Sequence, residues 1–170
     1  MFEIEEFTNV KLTNFNPRRE KHGPESVPAA DMNFEFDQPN HVLSYFDGGL
    51  LSSLYRKTAA NETEQETLDG VEPVSDMPTL RFPKMNPVRW DDKLAGYTLK
   101  IDYGLGGKSI LEVDGCDVGK FTLDCKEGGT VNIRFQVQCS SGLTEKMMGK
   151  LSLLIGETIK ITLTAPEATE

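Results

Sequence analysis

The residues with the most obvious chemistry fall in one pentapeptide, where Arg18, Arg19, Lys21 and His22 crowd together. Guanidinium forks bind phosphate oxygens two at a time, and lysine adds a mobile point charge. The group therefore suits a phosphate or an acidic protein surface. Trp90, the only tryptophan, stands between Arg89 and Asp91 with Lys84 and Lys93 nearby. An indole in that company can stack on a nucleobase or on a partner's side chain. Each feature also has a plainer reading, since charged loops are commonly just solvated and a single tryptophan commonly plugs a core. Arg18, Arg19, Lys21, His22 and Trp90 form the candidate binding set.

Other chemistries fail on spacing. The string GLGGKS ends like a phosphate-binding loop, but such a loop needs a glycine where Asp102 stands, and a carboxylate there would repel the ligand. The dinucleotide fingerprint fails at Ser109, so a hairpin turn is the better reading. The two histidines, His22 and His41, have no cysteine or histidine at ligand spacing, and C-x-x-C is absent. No serine sits in a nucleophile elbow, and Cys116, Cys125 and Cys139 read as reduced thiols in the walls of a core. The expectation is no catalytic residue, no metal and no cofactor.

The elements that would position the candidate set are mostly strands. In DVGKFTLDCKEGGTVNIRFQVQC, a three-residue loop at Glu127, Gly128 and Gly129 sets Cys125 opposite Val131, Leu123 opposite Ile133 and Phe121 opposite Phe135. All six are apolar and share one face; a two-residue loop would break that parity. Gly129 suits the left-handed position of a G1 bulge. Alternation also predicts strands over 7–13, over AADMNFEFD, over GYTLKIDYG and over SILEV. Between the first two, NFNPRREKHGPESVP reads as a connection carrying the basic residues. Val42, Leu43, Phe46, Leu50, Leu51 and Leu54 recur at helical spacing, broken by Gly48 and Gly49 into two short helices with Asp47 as a cap. After one helical turn near GLTEKMMGK, the segment LSLLIGETIKITLT predicts a second hairpin, with Leu151, Leu153 and Ile155 facing Leu163, Ile161 and Ile159.

These elements predict a mainly β fold, an antiparallel β-sandwich or incomplete barrel of about nine short strands with a short helical insertion. The 170 residues suit a single domain, 1–170. Within it, 58–79 carries six acidic residues and no Lys or Arg, which predicts a disordered internal loop, and the tail 165–170 should fray. A formal charge of -9 disfavours passive adhesion to nucleic acid or anionic membrane. No apolar run nears the roughly 20 residues that cross a bilayer, and MFEIEEF is not a secretory leader. The expected location is the cytoplasm.

The strings VKLTNFNPRREKHG, VPAADMNFEF, LRFP, GYTLKIDYG and EGGTVNIRFQVQ resemble an uncharacterised group of proteins encoded by temperate bacteriophages and prophages. The likeness spans most of the chain outside the acidic segment and the tail. It implies a phage origin and expression in the cytoplasm of a bacterial host, and it carries over no site residue. The leading expectation is a non-catalytic binding protein that engages or inhibits a host factor, for instance a nucleic-acid-dependent defence system. Alternatives are an accessory of phage recombination or replication that touches single-stranded DNA, and a structural component of the virion. A host or phage protein is the expected partner, with nucleic acid as the alternative, no membrane, and a homo-oligomer left open.

Overall fold

The structure, a computed structural model, describes residues 1–60, 74–103 and 110–168. It is mainly β and antiparallel. The predicted disorder of the acidic segment bears largely on residues outside that description, as do the GLGGKS turn and the end of the tail. The described residues form two compact units. One comprises Met1–Phe2, Asp37–Arg89 and Thr122–Ile133; the other comprises Glu3–Phe36, Trp90–Phe121 and Arg134–Glu170.

Six strands lie mainly in the second unit: β1 (Ile4–His22), β2 (Glu25–Pro39), β5 (Val88–Asp102), β6 (Ile110–Cys125), β7 (Thr130–Cys139) and β8 (Thr158–Thr164). In the order β1-β2-β7-β6-β5-β8 they close into a barrel. Closure depends on β8, which pairs antiparallel with β1 on one side and β5 on the other. Leu163 faces both Ile4 and Leu99, and all three are buried, so one rung carries apolar side chains across three strands. Burying each such side chain contributes about 1.5–3 kcal/mol. Leu12, Met32, Phe34, Phe121, Phe135 and Val137 fill the rest of this interior, with the Phe34 and Phe135 rings 5.6 Å apart and Phe121 and Phe135 6.3 Å apart.

Six long strands carry the barrel where the sequence suggests shorter and more numerous ones. The supposed connection NFNPRREKHGPESVP is the outer part of the β1–β2 ladder, paired from Asn14 with Asn33 to His22 with Glu25 and turning at Gly23. Beyond the buried Phe15, Arg19 and residues 21–26 are exposed and no apolar alternation remains, so this part of the ladder has no period-two signature. The second correction concerns LSLLI. Residues Glu145–Ser152 form helix α2, whose first turn is capped by Thr144 Oγ1 accepting the Met147 N–H at 3.2 Å. Leu143 and Leu151, one helical face apart, are buried, while Leu153 is 83% exposed and Ile155 44%. A 151–155 strand has no place to pair, because both edges of β8 are already taken by β1 and β5. Ile159, Ile161 and Leu163 do point inward as their parity predicts.

The first unit holds a 3-10 turn (Asn40–Tyr45), helix α1 (Leu50–Leu54) and the two-stranded pair β3 (Tyr55–Arg56) and β4 (Thr79–Leu80). The two short helices match the helical spacing, and Asp47 Oδ1 accepts the Gly49 N–H at 2.8 Å between them. These pieces gather on the tip of the β6–β7 hairpin. Lys126 N–H donates to Thr130 O at 2.8 Å and Gly129 N–H to Lys126 O at 3.4 Å, the bonding of a three-residue loop, with Gly129 at φ +94°. That loop puts Cys125 opposite Val131. The tip is then tied down: Asn40 N–H donates to Gly129 O, Val74 N–H to Gly128 O, and Gly128 N–H to Pro78 O, all between 2.8 and 2.9 Å. The buried Tyr55 hydroxyl donates toward Lys126 O (2.7 Å) and Thr130 O (3.2 Å).

Candidate recognition surface

The basic residues sit on a strand, so alternation splits them between two faces. Arg18 shares its parity with Glu20 and His22, while Arg19 and Lys21 take the other. Arg18, half-buried, directs Nη1 to Glu20 Oε2 at 2.6 Å and Nε to Asp31 Oδ1 at 3.2 Å. The hydrogen bond to Glu20, opposed by burial, raises this guanidinium above its ordinary value. Arg19 reaches Glu145 Oε1 at 3.5 Å and Ser26 O at 3.3 Å, and His22 Nε2 lies 3.8 Å from Glu20 Oε1. Lys21 is exposed. The carboxylates come from β1 itself, from β2 and from α2. A phosphate at Arg18 would have to displace two anions already in place, so what reads as a cationic cluster is a mixed-charge arm.

Trp90 is half-buried near the start of β5. The ladders place it away from that arm. Lys160 of β8 faces Asn9 of β1 on one side and Asp102 of β5 on the other, which defines a common level on the barrel. Both β1 and β5 are antiparallel to β8 and so run parallel to each other. Trp90 precedes Asp102 along β5, and Arg18 follows Asn9 along β1, so the two leave that level in opposite directions. The five candidate residues do not assemble into one site.

At the shared level lies a recess that the sequence does not announce. About 650 Å3 in volume, it is lined by Asn9, Asp102, Tyr103, Leu153, Leu154 and Lys160 among others. Asn9, Lys160 and Asp102 form a polar row across three adjacent strands, because each is the outward neighbour of a buried Val10, Ile159, Ile161 or Ile101. Over it stands the turn after α2, anchored where Gly156 N–H donates to Leu12 O (2.7 Å) and Leu12 N–H to Glu157 O (3.1 Å). Those bonds hold Leu153 and Leu154 at the rim. Tyr103 is fixed from the side by Lys150, whose Nζ donates to the hydroxyl at 3.0 Å and lies 5.0 Å from the ring centroid. The hydrogen bond is the stronger of the two, because the ammonium sits nearer the oxygen than the ring face.

An aromatic held by a lysine, an exposed and a half-buried leucine, and a rim of both signs can accept an apolar side chain surrounded by polar groups. Among the described residues no group of three or more His, Cys, Asp or Glu is placed to hold a metal ion, and no helix is long and apolar enough to cross a membrane. The signal that could have found the recess was the Thr144 cap, which turns LSLLI from a strand into the end of a helix and frees Leu153 from the core. Comparisons with protein-family models, curated proteins and solved structures find no match to this chain.

Proposed function

We propose that the chain is a non-catalytic, phage-encoded binding protein that engages a host protein inside an infected bacterium, with inhibition of a nucleic-acid-dependent defence system as the specific form. The observation that carries the binding reading is Leu153, 83% exposed on an anchored turn at the rim of the recess. A leucine exposed on such a turn gains about 1.5–3 kcal/mol when a partner buries it. The mixed rim favours a protein over nucleic acid, since Asp102 and Glu157 would repel a phosphate backbone while Lys160 and Asn9 answer polar side chains. The single-stranded DNA reading has less support, because Arg18 is engaged by two carboxylates and Trp90 lies elsewhere. The phage origin rests on the sequence likeness.

The test compares tagged wild type with Leu153→Asp in lysate of the bacterial host, followed by reconstitution from purified components. The expected result is a protein held by wild type, released by the variant, and bound in the purified pair at least about tenfold more weakly after substitution, the effect of removing one central anchor. Capture of the same proteins by both forms refutes the proposed surface. Single-stranded DNA binding at low salt that falls with Arg18→Ala/Arg19→Ala would replace it with the nucleic-acid reading.

A further inference from the structure

Two of the three cysteines meet inside the barrel. Cys116 Sγ and Cys139 Sγ lie 3.2 Å apart, both side chains are fully buried, and both thiols are free. They belong to β6 and β7, which are neighbours in the barrel. The buried positions show how they come to face each other. Along β7 these are Val131, Ile133, Phe135, Val137 and Cys139, strictly alternating; along β6 they are Leu123, Phe121, Val118 and Cys116, with one extra residue between Phe121 and Val118. That extra residue is a bulge, marked by Lys120 in the left-handed region at φ +52°. It shifts the register by one, bringing Val118 level with Val137 and Cys116 level with Cys139. Without it, Cys139 would face the outward Asp117.

Side chains directly across an antiparallel pair have backbones about 4.5–5.5 Å apart, within the span a disulfide bridges. A disulfide needs sulfurs at about 2.05 Å, so little more than about 1 Å of approach separates this dithiol from a crosslink. We propose that Cys116 and Cys139 are a gated redox pair: a disulfide oxidant such as oxidised glutathione converts them to a cross-strand disulfide that locks β6 to β7. The Cys116 thiolate attacks one sulfur of the oxidant and expels the first glutathione thiolate. Cys139, giving its proton to solvent, then attacks Cys116 Sγ of the mixed disulfide and expels the second. Two electrons pass from the protein dithiol to the oxidant, two glutathione thiols are released, and one S–S bond is exchanged for another. The mutual hydrogen bond at 3.2 Å stabilises the first thiolate of the pair, here Cys116. Because both sulfurs are buried, the oxidant gains access only when this part of the barrel opens, and the rate of bond formation reports that opening. Cys125, half-buried at the end of β6, has no such partner thiol among the described residues.

The experiment incubates the reduced full chain with oxidised glutathione in buffer and in sub-denaturing urea, quenches with an alkylating reagent, and maps the peptides without reduction. Loss of two hydrogens, a Cys116–Cys139 peptide, an alkylated Cys125, and formation at least about tenfold faster in urea are expected. The oxidised form should unfold at higher urea, since the crosslink constrains the open chain, and Cys125→Ser should leave the reaction unchanged. Three thiols persisting after unfolding and refolding with the oxidant, or a disulfide containing Cys125, overturns the proposal.

Discussion

Replacing Gly129 by alanine tests whether the hairpin tip is the anchor of the first unit. A Cβ built at this position would lie 2.8 Å from Ser75 Cβ and 3.4 Å from Asn40 Nδ2, on a backbone at φ +94°. Two costs combine. Holding an L-residue in the left-handed region costs about 1–2 kcal/mol, and forcing an added methyl into occupied space costs about 1–3 kcal/mol, so Gly129→Ala should lose about 2–5 kcal/mol. Gly23→Ala is the control: at φ +66° with nothing near its Cβ it carries only the first cost, about 1–2 kcal/mol. Urea unfolding separates them, because a slope of about 1–3 kcal/mol per molar turns the difference into a visibly lower midpoint for Gly129→Ala. Ser75→Gly adds a second check: it removes the clashing carbon, so the penalty of Gly129→Ala should shrink toward that of Gly23→Ala in its background. Equal midpoints for the two alanine variants, or no relief from Ser75→Gly, would refute the claim that the tip is packed against Ser75.

Tyr55→Phe should cost only about 1 kcal/mol, because Lys126 O keeps the Gly129 N–H and Thr130 O keeps the Lys126 N–H when the hydroxyl is gone; a urea midpoint shift equivalent to 3 kcal/mol or more would show that the hydroxyl holds the hairpin alone. Stability should also fall at alkaline pH. Burial pushes Tyr97 up to about 12 and Cys125 up to about 11. Groups raised in the fold contribute fully below their unfolded values, near 9 and 10, and lose that contribution as pH climbs through the folded ones. At about 1.4 kcal/mol per unit, each of the two shifts is worth at most about 2–3 kcal/mol, and solvent screening reduces that to about 1–2 kcal/mol. Urea midpoints stepped from pH 7 to 11.5 should decline only above about pH 9, and a loss that begins below pH 8, or is absent at 11, contradicts this.

Alternation by itself determined the β class, the inward faces and the register at the hairpin tip, because burial on one side and water on the other write a period of two into the residues. Phe121 and Phe135 stack as that parity requires, and Ile159, Ile161 and Leu163 face inward. The period disappears where both faces are wet, so RREKHGPES gives no sign that it forms a ladder. Nor does local pattern reveal partners distant in sequence. That β8 has both edges occupied, that Asp31 and Glu145 answer Arg18 and Arg19, and that a bulge at Lys120 brings Cys116 against Cys139 follow from closure of the barrel. Closure joins β1 to β8, strands from opposite ends of the chain, and such long-range pairing leaves no mark on either segment. The recess around Tyr103 and Leu153 exists only because that pairing places Asn9, Lys160 and Asp102 at one level. Side-chain periodicity is a local consequence of burial, whereas a surface is a consequence of which distant strands meet.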